Sequence, residues 1–473
     1  MKRYLLFFLA FWHLLTVSAA DWQASRMGIV GDGQTLNTIA IQKAIDHVAK
    51  KGGRLVFAPG IYLTGSIILR SNVEIHLEKG AVLFGSSNPE DYLPLDIDAE
   101  GDDTRHDNSR LALILAHQAN NIALTGKGTI DGNGLQLALN IDSLHHAGVK
   151  TDPHYNTKRH RPAETARPKL LFMANCENVC VEGLHLRNSA CWGLSFDQCR
   201  KLELLSLDIL NRAYWNNDGI DLTDCHQVTI RHCRINSADD GVCLKSYHVD
   251  DECRDIVISD CDIVSSASAV KFGTASWGGF RRVTIDSISV KDTFRSAIAI
   301  ESVDGAVVDS ISVSHIHAVN TGNPIFIRLG HRAGRQPGSI SHVTISDFHA
   351  EVPFGRPDED YDLRGPEVDF FHNPFPSVIS GIPGHRISHL TIRRADITYP
   401  GRASKGMAYV PLHRVDEIPE NIDKYPEFTM FGELPAWGFF IRHAEDLILE
   451  EVNIRTEKPD YRPPYVMVDV VGM

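Results

Sequence analysis

Past its first twenty residues the 473-residue chain has no apolar run approaching the roughly 18 residues of a membrane helix, so no later segment is expected to span a bilayer. It also lacks an excess of positive charge: 47 Lys and Arg against 60 Asp and Glu leave a formal charge of −13. That balance argues against a nucleic-acid partner, and it would repel an acidic polysaccharide at long range, so an anionic ligand would need a local basic patch. Cysteine is missing before Cys176 and after Cys261; nine residues confined to that window, an odd number, do not read as a disulfide framework. No Cys/His spacing suits zinc, and no metal or cofactor is implied. Helical periodicity is scarce too, with Ile39 to Val48 the one segment that shows it.

The start of the chain differs in kind. Met1-Lys2-Arg3, the apolar run Leu5 to Val17 and the small residues Ser18-Ala19-Ala20 have the layout of a secretory signal peptide. Cleavage near Ala20 would leave Asp21 rather than the Cys of a lipoprotein, with residues 21–473 exported to the periplasm or beyond the cell. Nothing in the sequence specifies an oligomeric state.

What the mature chain has in quantity is a repeat. The pattern apolar-x-apolar-x-x-apolar-x-apolar, as in Val179, Val181, Leu184 and Leu186, recurs with copies beginning at Leu202, Val228, Ile256, Val283, Ala306, Val343, Leu390 and Leu447. Period-two alternation at coil-sized intervals means stacked strands, not helical repeats. The expected fold is all-β: a single-domain right-handed parallel β-helix with an N-terminal capping helix and loop insertions. Cys176, Cys199, Cys225 and Cys253 each precede a copy by three residues, and Cys233 and Cys261 share its sixth position, so the thiols would stack as small buried hydrophobes.

A second strand can be registered in the same way. The segments beginning at Ile220, Val242, Val270, Ile298 and Ile325 align at steps of 22, 28, 28 and 27 residues. Their alternate residues form two outward columns: Asp221, Cys243, Lys271, Ala299 and Phe326, and beside it Thr223, Lys245, Gly273, Glu301 and Arg328. Asp218 and Asp240 each stand two positions before the first inward residue, so they stack, with Asp239 adjacent. At a coil spacing of about 4.8 Å, three carboxylates share a few ångströms of surface, which should raise at least one pKa. Acids with pKa values pushed apart are what glycoside hydrolysis uses. A calcium site, or Asp residues capping Asn-Asp-Gly and Asp-Asp-Gly turns, is the blander reading.

At these residues the chain resembles glycoside hydrolase family 28, the polygalacturonases and their relatives, in what looks like a divergent bacterial branch. Gly31-Asp32-Gly33, Ile41 to Ile45, Gly126 to Gly132 and Arg167-Pro168 are similar to the family's approach to its catalytic coils. The most specific match is Asn216-Asn217-Asp218-Gly219-Ile220-Asp221 followed by Ala238-Asp239-Asp240-Gly241, with Asp239 21 positions after Asp218, as in the family. The resemblance implies Asp239 as general acid, Asp218 and Asp240 as activators of the attacking water, and inversion by single displacement. It also implies a pectic polysaccharide or oligosaccharide as substrate.

Two family motifs are missing. Ser268 stands where the family has the histidine of Gly-His-Gly, and Ala299-Ile300-Glu301 stands where it has Arg-Ile-Lys, a clamp for the substrate carboxylate. Lys271, Lys245 and Arg295 are candidate replacements on the same face, and Arg295 falls in the register of Asp239. With Asn216, Asp221, Ser268, Glu301 and Arg328 they make up the expected substrate-binding set, although Glu301 and Arg328 could be a mere surface ion pair. Insertions at 136–166, Gly355 to Gly384 and Gly401 to Trp437 would wall the groove and suit exo action. The leading expectation is hydrolysis of an α-linked galacturonosyl or related bond. The alternatives are a non-uronide or modified glycan as substrate, a pectate-lyase-like β-eliminase, and a β-helix that binds glycans without cleaving them.

Overall fold

The computed structural model describes residues 20–95, 97, 109–355, 357, 375–406 and 414–472. The signal-peptide reading falls almost wholly on residues 1–19, outside the described residues, as do parts of the second and third insertions.

Among the described residues the chain winds into one right-handed parallel β-helix in which every strand ladder is parallel. The helix expected over 39–48 is present as α1 (Thr38–Ala49), which lays Ile41, Ala44, Ile45 and Val48 over the open N-terminal end. The described part of the chain has no helix long and apolar enough to cross a membrane.

The sheet that carries the acids runs β1 (Lys169–Ala174), β2 (Leu194–Asp197), β3 (Ile220–Thr223), β4 (Val242–Ser246), β5 (Val270–Ser276), β6 (Gly279–Ser302) and β7 (Val307–Leu329). β8 (Ser377–Ser380) and β9 (Phe439–Thr456) continue it. Leu194, Ile220, Val242, Val270, Ile298 and Ile325 lie in one register, as the alignment of segments requires. Inside, the apolar column is closed to water; Ile220, Val242, Val270 and Ile298 are wholly buried. Burial of each such side chain stabilises the coil by roughly 1.5–3 kcal/mol.

One copy of the repeat is displaced. Val283 pairs not with the residue expected from a copy at Ala306 but with Ile311, which in turn pairs with Val343. Ala306 and Val308 satisfy the same apolar pattern because both are buried, Ala306 just before β7 and Val308 at its start. The pattern fits both frames, and only the hydrogen-bond register chooses between them.

The first insertion also holds a second helix, α2 (Gly134–His146). Its apolar residues Leu135, Leu137, Leu139 and Ile141 alternate like a strand, which hides it in the sequence; the face it buries is Leu137, Ala138 and Ile141.

All nine cysteines are free thiols, and Cys176, Cys199, Cys225 and Cys253 stack as an internal ladder with no exposure beyond 1%. Burial pushes the Cys225 and Cys253 thiols well up, which keeps them protonated and inert. Titration of the denatured protein without reductant should therefore yield nine thiols per chain, and dithiothreitol should leave the melting temperature unchanged; fewer thiols would mean that the ladder holds a disulfide.

Candidate active site

The corners before β3 and β4 bring the acids together. Asp218, Asp239 and Asp240 each place a carboxylate oxygen within 4.8 Å of the others. Asp218 and Asp240 are each 3% exposed, while Asp239 is half-buried at the mouth. The glycine after each stacked acid is required by the close approach of the coils: a Cβ on Gly219 would meet the Gly241 carbonyl at 2.4 Å, and one on Gly241 would meet that of Ala269 at 2.6 Å.

Amides fix the first corner. Asn211 Nδ2 donates to the Asp218 carbonyl at 2.8 Å, and Asn217 Nδ2 donates to the carbonyls of Ser189 at 2.9 Å and Cys191 at 2.6 Å. Asn216 Oδ1 accepts from Arg167 Nη2 at 2.7 Å, so its amide oxygen is committed to holding this turn. Ser268 does stand over Asp240, but its contribution is a backbone N–H donated to Asp240 Oδ1 at 3.0 Å.

The environments of the stacked acids differ. Burial pushes Asp218 well above the usual carboxylate range, and the charges of Asp221 and Asp239 add to this. Burial also opposes ionisation of Asp240, but the charges of Lys271, Lys245 and Arg295 outweigh it and hold this carboxyl below its ordinary value. Lys271 Nζ lies 3.2 Å from Asp240 Oδ2. An ammonium there would repel a divalent cation, which disfavours the calcium reading of the acids.

The cations expected to meet a sugar carboxylate are already engaged by acids of the protein. Lys245 lies 3.4 Å from Asp221 and over the ring of Trp192. Asp221 itself is fully buried, with its carboxyl pushed up to about 6 by burial against the pull of Lys245 and Lys169, so it serves Lys245 rather than a ligand. Arg295 Nη1 binds Glu427 Oε2 at 2.9 Å, and the Tyr425 hydroxyl lies 3.2 Å from Lys271 Nζ. Glu427 and Tyr425 belong to the third insertion, whose described part straps across the outer face of β6 and β7 and packs Ile418, Phe428, Phe431 and Leu434 against Ala299 and Phe326.

That strap corrects one expectation: Glu301 and Arg328 are both buried and do not form a surface ion pair. Arg328 is 0% exposed; its guanidinium donates to Ser380 Oγ and to the carbonyls of Gly381, Glu420 and Asn421, so it anchors the strap and is closed to substrate. Glu301, whose carboxylate accepts from Thr274 Oγ1 at 3.3 Å, is raised to about 8 by burial and by the Glu427 and Asp240 charges, against Lys271 and Arg295. A neutral carboxyl at that position does not repel a uronate as an ionised one would.

Residues with no signal in the repeat complete the site. The first insertion contributes Arg161, which stacks on Trp215 with its guanidinium carbon 4.6 Å from the ring centroid. Trp192, Tyr425 and Glu427 likewise escaped detection, because insertions and turns have no register to align. Only the length of the insertions pointed to Arg161, Tyr425 and Glu427, and nothing pointed to Trp192.

Glu301 titrates in the folded protein above its ordinary value of 4.5. Between pH 4.5 and about 8 the folded chain therefore binds the extra proton, and wild-type stability falls as pH rises through that window. Relative to wild type, Glu301→Gln should gain stability across it, by at most about 1.4 kcal/mol per pH unit, as read by urea unfolding at pH 5 and pH 8. An identical difference at the two pH values would show that Glu301 is ionised throughout.

The model of a protein family described as glycosyl hydrolases family 28 matches residues 63–352, which include all three aspartates. A probable polygalacturonase of Vitis vinifera is 30% identical over 279 residues, covering 55% of this chain and 53% of that protein. The chain thus spans about half the length of that relative. An endo-polygalacturonase of Pectobacterium carotovorum subsp. carotovorum is 25% identical over 352 residues, covering 71% of this chain and 83% of that protein. Among solved structures, the hyperthermoactive exopolygalacturonase from Thermotoga maritima superposes with a TM-score of 0.64 at 20% identity, over 91% of this chain and 92% of that one, and so shares the fold. With a family model matching well over half of its length, the chain belongs to glycosyl hydrolases family 28.

Proposed function

We propose that the protein hydrolyses α-linked galacturonosyl bonds of pectic polysaccharide by direct attack of water, with inversion, acting outside the cytoplasm on chain ends. The observation that carries this reading is the opposite treatment of two stacked acids, Asp218 and Asp240, with a third, Asp239, beside them. Asp240 is held ionised by Lys271 and is the base that takes a proton from water; Asp218, stacked on it, orients the same water. Asp239, half-buried at the mouth, reaches a glycosidic oxygen and protonates it. The leaving sugar departs with that proton, and the water oxygen bonds to the anomeric carbon from the opposite face. Exo action is supported by walls on both sides: the insertion of α2 before β1 and the strap across β6 and β7.

One distance favours a second reading. The nearest carboxylate oxygens lie within 4.8 Å, whereas inverting pairs stand roughly 6.5–9.5 Å apart to admit water. Close spacing suits double displacement with a covalent intermediate. Three acids in place of two, with a stacked pair converging on one point, favour the single step. The anomer first released, followed by proton NMR, decides between them.

On polygalacturonate the protein should release reducing ends without absorbance near 235 nm, and chelators should have no effect; a signal at 235 nm would make it a β-eliminase. Asp239→Asn should lower kcat by about 10²–10⁴. Unchanged turnover would remove Asp239 from the acid role. In Lys271→Met the Asp240 carboxyl loses its nearest cation and ionises only at higher pH, so the acidic limb of kcat/KM should move upward. A limb that stays in place would show that Asp240 is not the base.

A further inference from the structure

The clamp that family 28 uses for a uronate is absent here, and Lys271, Lys245 and Arg295 each face an acid of the protein. A different cation on the opposite wall is not compensated in this way. Arg161 is only 6% exposed, yet two of its three guanidinium nitrogens, Nε and Nη1, have no acceptor in the protein. The third, Nη2, reaches Glu164 Oε1 at 3.4 Å, a long contact. Leaving charged donors unpaired in a buried position costs more than the roughly 1–3 kcal/mol of a neutral group. Such a position calls for an explanation.

The surroundings hold the guanidinium in one position. Trp215 lies beneath the guanidinium at 4.6 Å, and Arg159 approaches the same ring at 5.9 Å. The turn bearing Trp215 is held by Arg167, whose Nη1 donates to the Trp215 carbonyl at 2.6 Å. The backbone of Arg161 is bridged to Asn156 in both directions, at 2.9 and 3.2 Å. Burial, then the charge of Arg167, lowers the Arg161 pKa to about 10, which leaves it protonated at neutral pH, and Asp239 is close enough for its charge to act in the opposite sense. Three guanidiniums, those of Arg159, Arg161 and Arg167, thus gather within a chain of net charge −13, and the ion pairs that Arg161 and Arg167 form are both with Glu164.

We propose that Arg161, stacked on Trp215, binds the carboxylate of a galacturonate residue next to the scissile bond, on the wall formed by the first insertion, and so takes over the role of the missing clamp. Planar guanidinium is suited to a carboxylate, and the indole beneath it keeps the fork in one orientation. Arg161 would thereby set specificity for the free acid over its methyl ester. This inference rests on the proposed action on galacturonosyl bonds but is tested apart from turnover.

The test is calorimetric binding of trigalacturonate to the catalytically disabled Asp239→Asn protein, with and without Arg161→Gln or Arg161→Lys, with trigalacturonate methyl ester as the second probe. Arg161→Gln should weaken trigalacturonate binding at least tenfold and Arg161→Lys less, while affinity for the ester changes by less than twofold. An unchanged Kd, no binding of trigalacturonate by Asp239→Asn alone, or an equal loss with the ester would overturn the assignment. Thermal melts of both variants check folding, and should Arg161→Gln fail to fold, the same comparison is read from Arg161→Lys. Failure of the wild type to release reducing ends, with binding intact and dependent on Arg161, would instead sink the hydrolytic reading and leave the carboxylate site standing.

Discussion

The parallel hydrogen-bond ladder between successive coils governs the rest of this structure. It ties Ile220 to Val242, Val242 to Val270 and Val270 to Ile298, and in doing so decides which side chain stands over which along the whole sheet. Stacking rewards likeness inside the coil, where isoleucine meets valine and cysteine meets cysteine. Outside the coil the same rule places carboxylate over carboxylate. Asp218 and Asp240 are neighbours because they share a register, and their mutual repulsion is a consequence of the fold that the surrounding charges must answer.

The answer comes from cations on the following strands together with burial by the strap. Lys271 lies against Asp240, Lys245 against Asp221, and Arg295 against Glu427, so an outer face rich in charge can be covered without leaving most of that charge unpaired. Covering it lowers the local dielectric, which strengthens each pair and separates the protonation behaviour of groups that are chemically identical. Asp240 is driven toward the ionised form and Glu301 toward the neutral one, although both are carboxyls within one network. Arg328 shows the structural side of the arrangement: its Nη2 is spent on two backbone carbonyls of the strap, those of Glu420 and Asn421, and fastens the cover to the sheet.

The strap also changes what the missing clamp means. Glu301 in place of a lysine would look hostile to a uronate if it were exposed and charged. Buried and held neutral to about pH 8, it is instead a polar filler beneath Lys271. On the opposite wall, outside the repeat, Arg161 stacks on Trp215 within reach of the Asp239 charge.

The coils, the inward columns, the cysteine ladder and the meeting of Asp218, Asp239 and Asp240 are all legible in the sequence. Each of these follows from a local period, and a period of two combined with a coil-sized repeat translates directly into stacking. Even there it misjudged one frame, because Ala306 and Ile311 satisfy the same pattern and only long-range hydrogen bonds distinguish them. What tertiary structure alone decided lies off the repeat: the helix Gly134–His146, the strap over Glu301 and Arg328, the protonation of the outer columns and the placement of Arg161 against Trp215. Insertions carry no register, and a pKa depends on whatever covers the group; both are set by contacts between residues far apart in the chain, which no spacing along it encodes.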